Sequence, residues 1–378
     1  MIAVTFYERI PPIILMTKSK LSEMLPIAAA LVCAFMLVFF SDEASDAAYS
    51  AMNECAFTVI PSLFPYMVLS SLLVSSGAAE AAAKIAGKPL SRLLGVPPCS
   101  LSAIILGLLC GFPVGAKASL DMYRAGMLTD KETEHLIAIS NNTGPAFIIE
   151  VAGRKYFGSQ YIGVMFYIVE LASAFIIAVI YGITDRKNIA TGGRRLPTAE
   201  IKKHKSPSAS FADAVADAAR SSVVVSGFIV FFSVISGYAS MICTAVGISG
   251  WKMTAVSAVL EFSGAVKQAS LLNGAAGLII ASFAVNFAGL SVLAQSAALT
   301  DGCGISLRKC FVCKLAQGIA AAVITAILCF TGFVSSLPTE EDAIKNVYAW
   351  EISSIMLSVA AIFMIFVIVT RKNRVFQK

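Results

Sequence analysis

Gly111-Phe112-Pro113-Val114-Gly115-Ala116-Lys117-Ala118-Ser119 closes one apolar run, residues 101–116, and Asn141-Asn142-Thr143-Gly144-Pro145 cuts through the next, residues 136–152. Both runs are apolar enough for a bilayer, yet too short or too broken for a simple span. A helix broken inside hydrocarbon frees N–H and C=O groups that lipid cannot satisfy. Such breaks survive only where protein buries them or where they face a water-filled cavity. Outward from these two strings the chain is a succession of similar runs: 25–40, 56–74, 161–181, 223–246, 253–266, 275–299, 310–333 and 352–369. Pro61 and Pro65 are expected to interrupt the run at 56–74, and Asn286 and Gly289 lie inside the run at 275–299.

The composition agrees. Of 378 residues, 57% are hydrophobic and 14% charged, against about 25% charged in a soluble domain. A mean hydropathy of +0.80 implies repeated spans of roughly 20 residues each. The fold expected is an all-α polytopic membrane protein with discontinuous or re-entrant helices and about 8–10 membrane segments. The run at 25–40 is followed by Ser41-Asp42-Glu43, without a small-residue cleavage site, and reads as a retained first helix. A net charge of +6 does not point to nucleic acid, because the basic residues sit in loops and at the ends. Cys310 and Cys313 make a lone CxxC with Cys303 nearby. A zinc site wants a second pair or histidines, and the chain has two, His135 and His204. HExxH and a Ser/His/Asp set are absent. No enzyme, cofactor or metal is implied.

Loop charge sets the orientation. The connection 185–205 carries Arg186, Lys187, Arg194, Arg195, Lys202, Lys203 and Lys205, and the tail carries Arg371, Lys372, Arg374 and Lys378. Both are expected on the cytoplasmic side, and so are both termini. The acidic segments Asp42, Glu43, Asp46 and Glu340, Glu341, Asp342 face away. Gly192, Gly193, Pro197 and Pro207 make the connection a linker between halves.

The halves resemble one another. Asp46-Ala47 opens a helix that runs into Phe64, and Asp213-Ala214 opens one that runs into Phe231. The 112–119 string matches 262–269, pairing Phe112 with Phe262 and Lys117 with Lys267. Asn141-Asn142-Thr143-Gly144 matches Asn286-Phe287-Ala288-Gly289. The first half starts outside and ends inside, and the second does the reverse, so two inverted-topology repeats are expected. The implied divisions are 1–41 (tail and first helix), 42–182 (first repeat), 183–210 (basic linker), 211–334 (second repeat) and 335–378 (acidic outer loop, last helix, basic tail). Residues 78–98, with Lys84, Lys88 and Arg92, are a candidate interfacial stretch. Inverted repeats with interrupted helices place a solute site near the midplane between the halves.

That site is expected at the breaks. Half-helix N-termini favour anions, and the breaks at 111–115 and 141–145, with counterparts near Gly264 and Gly289, supply them twice. Lys117 and Lys267 lie just past two breaks. A membrane-buried cation costs about 3 kcal/mol or more, so each either faces an anionic substrate, snorkels to the interface, or pairs with Asp121 or Glu261. Asn141, Asn142, Thr143 and Asn286 either bind solute or a sodium ion, or cap broken ends. Gly115 and Gly144 lie at these breaks and, with Phe112 and Phe262, complete the candidate binding set. Glu150, Glu170 and Glu261 lie within apolar runs and are candidates for ion or proton coupling. Glu170, in the middle of 161–181, is the best of the three.

The strings Gly111-Phe112-Pro113-Val114-Gly115-Ala116-Lys117, Asn141-Asn142-Thr143-Gly144-Pro145-Ala146-Phe147 and Phe57-Thr58-Val59-Ile60-Pro61-Ser62-Leu63-Phe64-Pro65 resemble the YlbJ (SpoVV) family of sporulation integral membrane proteins. Its nucleoside-recognition (Gate) domains are related to segments of concentrative nucleoside transporters. The resemblance covers residues 46–333, and the second-half strings are more degenerate. It implies a carrier in the outer forespore membrane, with termini in the mother cell, passing dipicolinic acid toward the spore. Dipicolinate is a small planar dianion, which suits paired cations, half-helix ends and aromatic walls. A nucleoside or other small-solute cation symporter, or a non-transporting scaffold for spore assembly, are the alternatives. The partners implied are a small anion, the lipid bilayer and a coupling H+ or Na+, with no nucleic acid.

Overall fold

The computed structural model describes residues 28, 30–75, 89–184 and 207–334. Most of the interfacial stretch 78–98, the basic connection 185–205, the acidic segment 340–342 and the last run 352–369 lie outside the described residues, as do the terminal tails.

No strand occurs among the described residues, and the fold is all-α. Helix α1 (Ala30–Phe39) leads through Phe40 into α2 (Ser41–Glu54), a π-helical segment (Cys55–Val59) and α3 (Ile60–Ser75). The prolines do not interrupt this helix as expected. A proline removes one donor and crowds the carbonyl four residues back. The chain widens to π geometry just before Pro61, with the Ile60 N–H donating to the Cys55 carbonyl, and the helix continues. Such widened turns are a recognised way of seating a disruptive residue.

Helices α4 (Leu101–Cys110) and α5 (Val114–Arg124) form a hairpin that turns at Gly111-Phe112-Pro113. Helix α6 (Asp130–Ser140) starts on a capping box: the Glu132 N–H donates to Thr129 Oγ1, and the Thr129 N–H donates to Glu132 Oε2 at 2.8 Å. It stops at Asn141, and residues 141–144 are not helical. Pro145 disfavours helical geometry at Gly144, which explains the stop. A second π-helical segment (Ala146–Tyr156) follows, and then the long helix α7 (Gln160–Thr184).

The same order recurs after α8 (Pro207–Ala245). Helices α9 (Trp251–Leu260) and α10 (Phe262–Ser270) turn at Glu261. Helices α11 (Ala275–Phe287) and α12 (Gly289–Thr300) are separated by Ala288, and α13 (Arg308–Phe330) is the long helix. Ala288 has φ 67°, a left-handed geometry costing roughly 1–2 kcal/mol for a residue with a Cβ. Twice, then, a hairpin is followed by a broken helix and a long one.

Each hairpin lies on the break that follows it. A Cβ on Gly107 or Gly115 would stand 1.7 or 2.0 Å from the Ser140 carbonyl oxygen, and one on Gly111 2.5 Å from the Gly144 nitrogen. In the second half a Cβ on Gly289 would meet the Leu260 carbonyl oxygen at 3.0 Å. Glycine therefore sets the backbone contact between hairpin and break.

Among the described residues, four helical stretches are long and apolar enough to cross a bilayer: Gln160–Thr184, Phe211–Ala245, Ala275–Thr300 and Arg308–Phe330. At 1.5 Å per residue, α7 and α13 are about 37 and 34 Å long, enough for a hydrocarbon core of about 30 Å. Their outer faces carry Ile168, Phe175, Ile183, Val323, Ile327 and Phe330, all exposed, as lipid contact requires. The chain is integral to a membrane. Inside, Leu101, Leu136 and Ile137 pack with Cys310 and Cys313, so the CxxC thiols are core. Phe147, Ile148 and Val151 pack with Phe262, Val266 and Val285. Cys55 and Val59 pack on Ala214, Ala218 and Val225 of α8.

Candidate functional site: a buried polar cluster between two broken helices

The two breaks and the two long helices meet in one hydrogen-bonded cluster. Lys314 on α13, 2% exposed, donates from Nζ to Asn142 Oδ1 and to Gln317 Oε1, each at 2.8 Å. Gln317 Nε2 donates to Asn142 Oδ1 at 3.2 Å and to Asn286 Oδ1 at 3.3 Å. Ser173 Oγ on α7 donates to Asn286 Oδ1 at 2.7 Å. The Thr143 N–H donates to Glu170 Oε1 at 3.0 Å, and Thr143 Oγ1 to the Val285 carbonyl at 2.6 Å. Asn141 Nδ2 reaches Ser296 Oγ at 3.0 Å. Residues 141–173 and 282–317 thus interlock through side chains that are almost wholly buried.

The electrostatics require this wiring. Taking a charge out of water costs several kcal/mol per ion unless partners restore it. Glu170 and Lys314 attract one another across the cluster, and the amides of Asn142 and Gln317 supply acceptors to the ammonium. An orphaned carbonyl or N–H at either break would be as costly. Thr143 removes two such orphans, tying its own N–H to Glu170 and the end of α11 to its hydroxyl.

Beside the cluster is a small cavity of about 20 Å³, walled by Phe112, Thr143, Gly144, Phe147, Val225 and Phe262. It has room for about one water. The hairpin tips narrow it: the Phe112 and Phe262 rings meet edge to face at 5.2 Å, and Phe147 meets Phe262 at 4.8 Å. A solute with an aromatic ring enters only if the tips part.

The structure brings Asn141, Asn142, Thr143, Asn286 and Glu170 into the cluster, and places Phe112, Phe262 and Gly144 on the cavity. Gly115 serves the packing of α5 on Ser140. Other candidates lie elsewhere. Lys117 is exposed on α5, on the side opposite buried Gly115 and Ser119. Lys267 is half-exposed and pairs with Glu54 at 2.8 Å. Glu150, 37% exposed, faces Arg154 at 3.8 Å on the second π-helical segment. Glu261 is buried at the second tip, where its carboxylate accepts from the Ser263 N–H at 2.8 Å and the Gly264 N–H at 2.6 Å. The helix end near Gly264, expected to receive an anion, is therefore already filled by the protein's own carboxylate.

The cation of the cluster is Lys314, which together with Gln317, Ser173 and Ser296 the sequence reading did not single out. A signal for Lys314 was present, since it is a charge inside the apolar run 310–333, the feature that marked Glu170. The repeat matches drew attention to Lys117 and Lys267 instead.

No protein-family model and no solved structure matches the chain. The chain is similar to the sporulation integral membrane protein YlbJ of Bacillus subtilis (strain 168), at 24% identity over 351 residues, covering 83% of this chain and 84% of the relative. Together with the strings at 57–65, 111–117 and 141–147, that similarity supports assigning the chain to the YlbJ family of sporulation integral membrane proteins.

Proposed function

We propose that the chain is a carrier for a small anionic solute, dipicolinate above all, working by alternating access between two inverted repeats. The observation that supports this most is the buried ammonium of Lys314, held where the two broken helices meet and next to a small cavity beside the hairpin tips. A buried cation in a membrane protein persists where it has a partner and a task. When the tips part, a carboxylate can take the place of Asn142 Oδ1 on Lys314 Nζ, and the pyridine ring can lie between Phe112 and Phe262. Glu170 suits the role of coupling group. Protonated, it leaves Lys314 with a net positive site for an anion, and deprotonated it neutralises Lys314 and favours release. The sporulation relative is consistent with a role in the outer forespore membrane, with both termini in the mother cell.

Uptake of labelled dipicolinate into proteoliposomes, under imposed proton or sodium gradients, tests the proposal. Wild-type protein is expected to accumulate dipicolinate, and Lys314→Met to lose at least tenfold in rate while still inserting. Nucleoside uptake with no dipicolinate uptake would favour the neutral-solute alternative. Wild-type vesicles that take up neither, or a Lys314→Met variant with undiminished rate, overturn the carrier reading.

A further inference from the structure

A second charged cluster lies away from the central one. Glu54, at the end of α2, receives a hydrogen bond from Tyr156 (Tyr156 Oη to Glu54 Oε1, 2.6 Å) and one from Lys267 Nζ to Oε2 at 2.8 Å. Lys155 Nζ stands 3.7 Å from Oε1 and donates to Thr58 Oγ1. One carboxylate, 15% exposed, thus holds two ammonium groups that are each 48% exposed.

The position is informative. Three elements meet here: α2 with its π-helical continuation, the end of the second π-helical segment, and α10. They are among the elements that wall the central cavity, through Val59, Phe147 and Phe262. Lys155 and Tyr156 adjoin the loop 157–159, and Lys267 lies one turn before the loop 271–274, so the cluster sits near one end of the molecule. Each of the three reaches from the cluster to the cavity wall, from Thr58 to Val59, from Lys155 to Phe147 and from Lys267 to Phe262, and Glu54 ties all three together.

Building on the transport reading above, we propose that Lys155 and Lys267 form an entry subsite for a carboxylate, which Glu54 occupies while the route to the cavity is closed. An incoming dicarboxylate displaces the Glu54 carboxylate from the two ammonium groups. This unties α10 from α2 and admits the solute toward Phe262. The chemistry is an exchange of one carboxylate for another on the same two cations, so closing the route leaves no cation unpaired. Two flexible lysines recognise carboxylate by charge rather than by a fixed fork, which suits a subsite that must bind briefly and release.

The test is amine labelling of protein in nanodiscs with a water-soluble acetylating reagent, read residue by residue by mass spectrometry. In Glu54→Gln, Lys155 and Lys267 are expected to react up to about fivefold faster than in wild type, the factor that a partly exposed ion pair sets. Pyridine-2,6-dicarboxylate at millimolar concentration is expected to restore slow labelling, and the neutral pyridine-2,6-dimethanol to have no effect. Lys252, exposed and distant from Glu54 in the chain, serves as the internal control. Glu54→Asp, which keeps the carboxylate, covers the case in which the Gln variant fails to fold, with labelling of both lysines expected between the other two. Equal labelling in wild type and variants, or equal protection by diacid and diol, overturns the subsite. Protection without vesicle uptake leaves the subsite standing and removes the transport reading. Uptake without protection does the reverse.

Discussion

Replacing Lys314 with Met probes the centre of the molecule. The side chain is 2% exposed and its ammonium makes two hydrogen bonds at 2.8 Å. Methionine nearly conserves volume, so packing is largely retained and the loss is electrostatic. Glu170 attracts Lys314 across the cluster without a direct ion pair, and removing a buried charge that compensates another costs up to about 3–5 kcal/mol, the figure for a direct buried pair. Here the stranded groups are the Glu170 carboxylate and the acceptor oxygens of Asn142 and Gln317. At roughly 2 °C per kcal/mol for a chain larger than a small domain, the expected fall in Tm is up to about 6–10 °C, measured by thermal unfolding in detergent. Glu170→Gln combined with Lys314→Met removes both charges and should recover at least half of that loss, while vesicle uptake of dipicolinate stays abolished. A single variant within about 1 °C of wild type refutes the reasoning, as does a double variant less stable than the single one.

Gly115→Ala puts a Cβ 2.0 Å from the Ser140 carbonyl oxygen, so the first hairpin must lift off the break. Overpacking of this kind costs about 1–3 kcal/mol or more, and a broadened size-exclusion peak is expected. Gly126→Ala, with φ +70° but open space around it, should lose only the roughly 1–2 kcal/mol of left-handed strain and remain monodisperse. Glu261→Ala removes the acceptor for the Ser263 and Gly264 N–H groups and should lower stability by about 1–2 kcal/mol, as loss of an N-cap does, seen as a Tm lower by a few degrees. Glu54, outside the four long apolar helices, has its carboxyl held at about 2: burial pushes it up, but hydrogen bonds from Lys267, Tyr156 and Thr58 outweigh that and lower it. A depressed carboxyl stabilises fully above its ordinary value, about 4.5, and loses that contribution as pH falls toward 2. The Tm gap between wild type and Glu54→Gln should therefore hold constant from about pH 7.5 to 5.5 and shrink below about pH 4.5, and a gap that already closes near pH 6 counts against the assignment.

The breaks were legible because glycine, proline and paired asparagines inside apolar runs have few structural meanings, and 111–115 and 141–145 do turn and break where those residues stand. Their counterparts were legible by similarity, although the second hairpin turns at Glu261, three residues before the glycine that drew attention. Lys117 misled because sequence distance from a break says nothing of which side of a helix a residue takes. One and a half turns after Gly111, α5 buries Gly115 and Ser119 against Ser140 and leaves Lys117 outside. Lys314 carried a signal of its own, a charge inside an apolar run, but its place in the site was hidden for the converse reason. Its partners Asn142 and Glu170 lie more than 140 positions away in the chain, and no local pattern announces a contact made only when two halves close on one another. Glu54 was hidden likewise, since nothing near it in sequence foretells Lys155, Tyr156 and Lys267. Pro61 and Pro65 show that a residue able to break a helix can instead be absorbed by widening it.

Counterflow in vesicles tests most directly whether the two halves enclose one site that opens to each side in turn. Proteoliposomes preloaded with unlabelled dipicolinate and diluted into a trace of labelled dipicolinate are expected to accumulate label transiently above the outside concentration with wild-type protein, and not with Lys314→Met. Label that merely equilibrates in wild-type vesicles, without overshoot, contradicts a carrier with a shared central site.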